Sequence, residues 1–385
     1  MVIIPDRLSE IADKGEIIKC YYNPGNVFDE VHIVMTNDDV PVKDAVQKTV
    51  GDAKLYLHNL PASSHMFVKS LGWRPWLLDA LTKQAIELSI KVRPSLIRCH
   101  GAHLNGFAAA RIKTALKIPY VLSLHTNPDV DVLGREADWK SNLIASVQKA
   151  IEIIALENAD LVMPVYKSII PYLQRRGIKH YEVCYNALNP EYLTMKRDYT
   201  LHDPVRVISV GRQFGGKNPD NLIRAVAQMQ NVHLTMVGDG AYHDSLHEIA
   251  LQCGMAERIT FFRALDNDVL CKWLPDFDIF AVHTEYWELS KSILEPLLTG
   301  LPVIINKRVG KPVPELNDNI CLLVENSVES YHAALSKLIK DNGFREKLGR
   351  QAYRYAKENW SPAVTEAKFA NIYRRLMLKN VHTPN

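Results

Sequence analysis

The stretch VRVISVGRQFGGKNP, Val205 to Pro219, decides the reading of this chain. Its opening, Val205-Ser209, is a β-branched apolar run that stops at a glycine, the pattern of a strand buried on both faces. Gly211, Gly215 and Gly216 then let backbone approach a ligand, while Asn218 can cap a following helix and Pro219 suits its first turn. Strand, glycine loop and helix in that order make one unit of a parallel sheet. Inside the loop, Arg212 offers a planar fork and Lys217 a compact cation, so the two can neutralise a diphosphate. A plain surface turn with two solvated cations is the bland reading, but packing alone rarely produces this order.

The same rhythm runs outward in both directions. Upstream, Val2-Ile4, Val31-Met35, Leu55-Leu57, Leu96-Cys99, Tyr120-Leu124, Leu161-Val165 and Glu182-Cys184 read as strands, with helices at about Trp76-Lys91, Asn105-Leu116 and Trp139-Asn158. Downstream follow strands Leu234-Val237, Ile259-Phe262, Ile279-Val282, Val303-Ile305 and Cys321-Val324. The expected fold class is α/β: two Rossmann-like, doubly wound parallel-sheet domains facing across a deep cleft. Pro190, Asp203 and Pro204 break periodicity among polar residues, which sets a first domain at 1–190, a linker at 191–204 and a second domain at 205–360. Ser361-Pro362 starts a last helix, 361–385, whose apolar stripe (Val364, Phe369, Ile372, Tyr373, Leu376, Met377) suits a return to the first domain.

Composition narrows the function classes. With 385 residues, 47% hydrophobic and 23% charged, the chain has the make-up of a folded globular protein rather than a disordered one. A net charge of +3 argues against nucleic acid as a partner. Charge is uneven, however: Lys54 to His125 carries ten Lys or Arg against two acidic residues, Asp79 and Glu87. That surplus either solvates a helical face or meets phosphates and lipid headgroups. The six cysteines form no CxxC pair, which suits a reducing cytoplasm, with Cys99 and Cys184 as small core residues. No run of eighteen apolar residues occurs, and the apolar start Val2-Ile4 is too short for a signal peptide, so membrane contact is expected to be peripheral.

Further site residues lie at strand ends. Gly238-Asp239-Gly240 closes a strand beside the Arg212 loop and faces the same crevice, though a lone Gly-x-Gly also serves tight turns. In HTEYWELSKSILEPLLTGLPVI, His283 to Ile304, Ser290 can cap a helix beginning near Lys291 and Ser292, whose first N–H groups and dipole favour a phosphate. Glu295, one turn in, can accept two hydrogen bonds from a ribose diol; an exposed surface glutamate is the alternative. His125 and the pair His100-Gly101 end strands of the first domain, where polar residues line ligand crevices or merely satisfy loop backbone. Asp129-Val130-Asp131 spells a metal-type Asp-x-Asp, but one tripeptide supplies too few oxygen ligands for a hard cation. His243 and His247 have zinc-like spacing without a third ligand, so a solvated helix face is expected, and no metal. No Ser-His-Asp or Cys-His constellation appears.

Val210-Gly211-Arg212 to Lys217, Gly238-Asp239-Gly240, Asp278-Ile279-Phe280, Glu295 with Gly300-Leu301-Pro302-Val303, Pro314-Glu315 and Trp360-Ser361 resemble, in order, the retaining glycosyltransferases of family 4 (glycosyl transferases group 1, GT-B fold). The resemblance spans nearly the whole chain and is strongest from 205 to 380. It implies a nucleotide-sugar donor, a UDP- or GDP-sugar, acting as substrate with no cofactor and no obligatory metal. It further implies Arg212 and Lys217 on the diphosphate, Glu295 on the ribose, backbone of Gly211, Gly216 and Gly238 with Asp239 near the donor, and His125 on the transferred sugar. The family usually carries a glutamate eight residues before Glu295; here that position is Trp287, with Glu288 one step off and Glu285 two. The first-domain glycine loop is reduced to Lys14-Gly15, which with His100 and Gly101 are the acceptor-side candidates.

The expectation is therefore a cytoplasmic, retaining, metal-independent glycosyltransferase acting on a glycan, lipid-linked or small-molecule acceptor, with Arg212, Lys217, His125 and Glu288 as catalytic residues. Met66 to Trp76 mixes aromatics and cations suited to an interface, so peripheral contact with the inner membrane face is expected through 64–93. Two alternatives share the fold: a catalytically reduced nucleotide-sugar-binding protein, motivated by Trp287, and a sugar-nucleotide epimerase. Finding the anomeric centre inverted would rule out the retaining reading, in which the acceptor attacks from the face that the leaving diphosphate departs.

Overall fold

The computed structural model describes residues 1–62, 78–128, 139–308 and 310–381. Two compact units emerge: Met1–Asp13 with Ile17–Ala187 and Thr365–Asn385, and Lys14–Glu16 with Leu188–Val364. In the first, strands β1 (Val2–Ile4), β2 (Glu30–Met35), β3 (Lys54–Asn59), β4 (Ile97–His100), β5 (Tyr120–Leu124) and β6 (Leu161–Pro164) form one sheet in the order β3-β2-β1-β4-β5-β6. Its pairs are all parallel, with Val2 opposite both Ile33 and Arg98. Helices α1 (Leu8–Asp13), α2 (Lys43–Gln47), α3 (Asp79–Val92), α4 (Leu104–Leu116), α5 (Trp139–Asn158) and α6 (Ile170–Arg175) connect the strands.

The second unit repeats this plan. Strands β7 (Val205–Val210), β8 (Val232–Val237), β9 (Ile259–Phe262), β10 (Ile279–Val282), β11 (Val303–Asn306) and β12 (Leu322–Val324) pair in the order β12-β11-β10-β7-β8-β9, again all parallel. The helices are α7 (Asp220–Ala227), α8 (His243–Gln252), α9 (Asn267–Trp273), α10 (Lys291–Thr299), α11 (Val328–Lys340) and α12 (Asn342–Trp360), followed by α13 (Pro362–Val381). In each sheet the first strand of the unit sits in the middle and the chain reverses direction beside it, which is the classic dinucleotide-binding order. Ligand crevices in such sheets open at the carboxyl ends of the two central strands, here β7 and β10.

Apolar burial holds the sheets together. Val205, Val207, Leu234, Ile279, Ala281 and Ile304 from the strands pack against Leu222, Ile223, Leu246 and Leu335 from the helices. Each such Val, Leu or Ile side chain contributes about 1.5–3 kcal/mol. Of the basic stretch, Lys54, Lys83 and Lys113 sit beside Glu30, Glu87 and Asp160, and Arg98 is buried. Cys99 and Cys184 are buried thiols. Residues 64–77 of the expected membrane-facing stretch and Asp129-Val130-Asp131 lie outside the described residues.

One expectation needs correction. Glu182-Cys184 is not a strand: Glu182 and Cys184 donate to Val162 and Pro164 of β6, but Pro164 has no N–H to return, and only one bridge, Val162 with Tyr181, forms. Lys14–Glu16 groups with the second unit, where the Lys14 carbonyl accepts from the Asn267 N–H at 3.3 Å.

The segment entering the second unit is strapped down before β7 begins. Tyr199 donates to the Gly300 carbonyl at 2.8 Å, and Arg345 donates twice to the Tyr199 carbonyl, at 3.1 and 2.7 Å. Helices α10 and α12 cross where Gly349 meets Gly300; a Cβ on Gly349 would collide with the Gly300 carbonyl oxygen and the Tyr199 ring. Gly349→Ala should therefore destabilise the second unit by about 1–3 kcal/mol, the usual cost of overpacking. Denaturant unfolding measures this, and a change below about 0.5 kcal/mol, the ordinary surface effect, would refute it.

Candidate functional site

Two loops converge at the carboxyl ends of β7 and β10. The first leaves β7 through Gly211, which donates to the Val237 carbonyl at 3.0 Å, and Gln213, which donates to Asp239 at 2.8 Å. This close approach requires Gly238: at φ +145° no L side chain is comfortable, and a Cβ would overlap the Gly211 carbonyl. Asn218 accepts from the Asp220 N–H at 3.3 Å, while Pro219 immediately precedes the helix.

The second loop is pinned on three sides. Asn306, buried at the end of β11, pairs both of its amide groups with the Thr284 backbone, at 2.8 and 3.0 Å. The Glu285 N–H reaches the Gly216 carbonyl at 2.6 Å, and Arg308 donates to the Tyr286 carbonyl at 3.2 Å. These bonds bring Glu288 to Lys217: Nζ to Oε1 is 2.5 Å, both side chains mostly buried. Trp287, at the position where family 4 usually has glutamate, is buried with the Lys311 ammonium 4.1 Å over its ring. Arg212 lies against Phe214, 5.0 Å from its centroid, and Phe214 meets Tyr286 at 5.6 Å.

A pocket joins these parts, lined by Gly211, Arg212, Gln213, Lys217, Pro219 and His283 among others. Burial pushes the His283 imidazole down to about 4, with Arg308 adding to the effect, so it is neutral near pH 7. Gln213 is buried and holds His243 at 2.7 Å. His243 is thus a core residue, and His247 stacks on Phe261 with centroids 3.7 Å apart. The expected solvated histidine face is corrected for His243, whose ring is buried and satisfied by Gln213, whereas His247 is exposed as expected, its ring lying on Phe261. Among the described residues no group of three or more His, Cys, Asp or Glu is arranged to hold a metal.

Ser290 occupies the cap position of α10, but its hydroxyl pairs with Ser292 at 2.9 Å instead of capping. The first N–H groups of the helix are consequently not taken by that side chain. Glu295 is buried one turn on and accepts from Asn267 at 3.0 Å. Burial raises its pKa to about 7, against the opposing pull of Asn267 and Lys291. Asp239 turns elsewhere: the Gly240 N–H and Arg263, 2.6 Å away, hold its carboxylate below the usual range.

In the first unit, His100 and His125 end β4 and β5 with ring centroids 4.7 Å apart. His100 is buried, and burial together with the Arg98 charge keeps it well below the ordinary imidazole value. Its Nδ1 lies 3.9 Å from Asp6, and Gly101 donates to the Ser123 carbonyl at 2.9 Å. Sequence reasoning missed Asn267, Gln213 and Arg308. Only Arg308 left a signal, as a cation just beyond the end of strand β11.

Two α/β units in dinucleotide order, one with a cationic loop facing a helix start and a buried glutamate, define a nucleotide-binding transferase of the GT-B type. Glycosyl transferases group 1 matches residues 194–355 and Glycosyltransferase Family 4 matches residues 29–192. The chain belongs to this family. An uncharacterized glycosyltransferase of Methanocaldococcus jannaschii is 23% identical over 80% of this chain and 82% of its own length. The lipopolysaccharide core biosynthesis glycosyltransferase LpsE of Rhizobium meliloti is 25% identical over 76% of this chain and 92% of its own. Among solved structures, sucrose-phosphate synthase of Thermosynechococcus elongatus superposes with a TM-score of 0.72 at 15% identity, over 98% of this chain and 99% of that one. Anabaena HepE in complex with UDP gives 0.72 at 15% identity, over 97% and 99%. The chain is thus a glycosyltransferase that draws on a nucleotide-sugar donor. Among the described residues no helix is long and apolar enough to cross a membrane.

The raised pKa of Glu295 makes stability pH-dependent. Its ordinary value is 4.5, so between about pH 4.5 and 7 the folded protein keeps a proton that the unfolded chain has lost. Stability therefore falls as pH rises through that window and levels off above it. Glu295→Gln should remove this loss, so its melting temperature relative to the native protein rises from pH 5 to pH 8. An unchanged difference would show that Glu295 titrates normally.

Proposed function

We propose that this glycosyltransferase works with retention of anomeric configuration, Arg212 and Lys217 taking up the charge of the leaving diphosphate. The observation that supports this most is the Lys217–Glu288 pair, a cation held ready inside the pocket by a carboxylate that an incoming diphosphate can replace. The backbone of Gly211, Gly216 and Gly238 gives the phosphates close approach, and the α10 start at Ser290, Lys291 and Ser292 adds N–H donors. Glu295, when ionised, accepts from the ribose diol. The donor is a UDP- or GDP-sugar, and because side chains and a helix start meet its charge, no metal is required.

The bond from the sugar C1 to the diphosphate oxygen breaks while the acceptor oxygen bonds to C1 on the same face, and the acceptor proton passes to the departing phosphate. Charge grows on the diphosphate as this happens, so cations fixed beside it lower the barrier. His125 is assigned to a hydroxyl of the transferred sugar. Glu288, freed when Lys217 turns to phosphate, is assigned to the sugar in place of the glutamate that Trp287 displaces. Lys14, Gly15, His100 and Gly101 are assigned to the acceptor, a glycan, lipid-linked or small molecule, with peripheral membrane contact through 64–93.

Donor hydrolysis screened over UDP-, GDP- and ADP-sugars tests the core of this reading. Lys217→Ala should lose about a hundredfold or more in kcat, and activity surviving intact would overturn it. Glu288→Gln should lower kcat at least about tenfold while leaving nucleoside diphosphate affinity unchanged or tighter, because Lys217 is then unopposed. Undiminished turnover would show that Glu288 has no part in the reaction. Proton NMR of the product should show the donor's anomeric configuration, with activity unaffected by chelator.

A further inference from the structure

The amino ends of β1, β2 and β4 surround a second cavity, at the opposite end of the first sheet from His100 and His125. It is lined by Tyr22, Phe28, Glu30, Leu96, Arg98 and Tyr373 among others. Arg98 is buried, 3% exposed, in this apolar setting. Two of its nitrogens are used: Nε donates to the Ser123 hydroxyl at 3.2 Å and Nη1 to the Tyr21 carbonyl at 3.0 Å. The Tyr21 and Phe369 rings cover the guanidinium with centroids 4.9 and 4.7 Å away. Nη2 and the buried hydroxyl of Tyr373, one turn along α13 from Phe369, make no hydrogen bond of good geometry, and only their mutual attraction engages them.

No carboxylate answers the charge. Among the described residues none is within ion-pair distance of Arg98, and the groups that favour its charged form are tyrosines. Glu30 stands half-exposed at the cavity mouth, 3.7 Å from Lys54. A guanidinium cannot shed its proton, and an unpaired buried charge is among the costliest features a fold can carry. One carbonyl, a hydroxyl and two ring faces offset only part of that. Burial pushes the Tyr373 phenol up to about 12, so its hydroxyl remains a donor.

The Tyr373 oxygen can turn a lone pair to the guanidinium and favours its charge, which leaves the Tyr373 O–H and a further Nη2–H directed at a space that holds about one water-sized group, with no acceptor of good geometry there. We infer that this cavity is a binding site for a small monovalent anion, chloride in the cell, held between Arg98 Nη2 and the Tyr373 hydroxyl. An anion is preferred over water because both groups donate and the site carries net charge. Occupancy ties α13 to β4 and adds to the stability of the first unit without touching the donor site.

The full-length protein tests this directly. Melting temperature is followed as sodium chloride replaces sodium gluconate at constant ionic strength, and chloride-35 NMR line broadening reads binding itself. A saturable, chloride-specific rise is expected, reproduced by bromide. Tyr373→Phe keeps the ring and removes one donor, and should weaken the chloride effect about tenfold. Arg98→Met should abolish it. If Arg98→Met fails to fold, the line broadening of the native protein against Tyr373→Phe still decides. A melting temperature that follows ionic strength alone, with no chloride line broadening, would show that the cavity holds water and overturn the assignment; so would equal broadening in native protein and Tyr373→Phe.

Discussion

Strand β10 pairs with β7, not with its predecessor β9, and the candidate site depends on that reversal. Because the chain turns away to opposite sides of β7, the loops after β7 and β10 leave a gap between them instead of packing edge to edge. What fills the gap is side-chain chemistry: Lys217 from one loop and Glu288 from the other, 2.5 Å apart. A ligand that binds there competes with a salt bridge, not with a packed core.

The surroundings explain why the pair keeps its place. Gly238 lets the first loop lie directly on the neighbouring strand, and Asn306, Gly216 and Arg308 each hold one point of the second. Gly349 brings α12 against the end of α10, and the opposite end of that helix begins at Ser290. The site is therefore built on strand ends and one helix, elements whose apolar contacts are worth far more than the polar contacts they position. Trp287 fits this economy: where family 4 usually places glutamate, a buried aromatic under Lys311 stiffens the loop and leaves Glu288 to meet Lys217.

Much of the architecture was legible because parallel strands buried on both faces read as short β-branched runs, and these are abundant here. Val205-Ser209, Ile279-Val282 and Tyr120-Leu124 fall where strands are found. Glu182-Cys184 misled because its composition suits a strand while its neighbour, Pro164, cannot complete the ladder. The Ser290 position was legible; its hydroxyl's choice of Ser292 over the helix was not, since that turns on rotamers. Asn267 and Gln213 were invisible for another reason: each acts through a residue distant in sequence, Glu295 and His243, and no local pattern records such a pairing.

In the proposed reaction Lys217 leaves Glu288 to hold a diphosphate. Calorimetric titration of UDP and GDP against their monophosphates, into native protein and Lys217→Ala, measures this most directly. The native protein should prefer one diphosphate over its monophosphate by about tenfold or more, and Lys217→Ala should lose this preference. A preference that survives the substitution unchanged would contradict it.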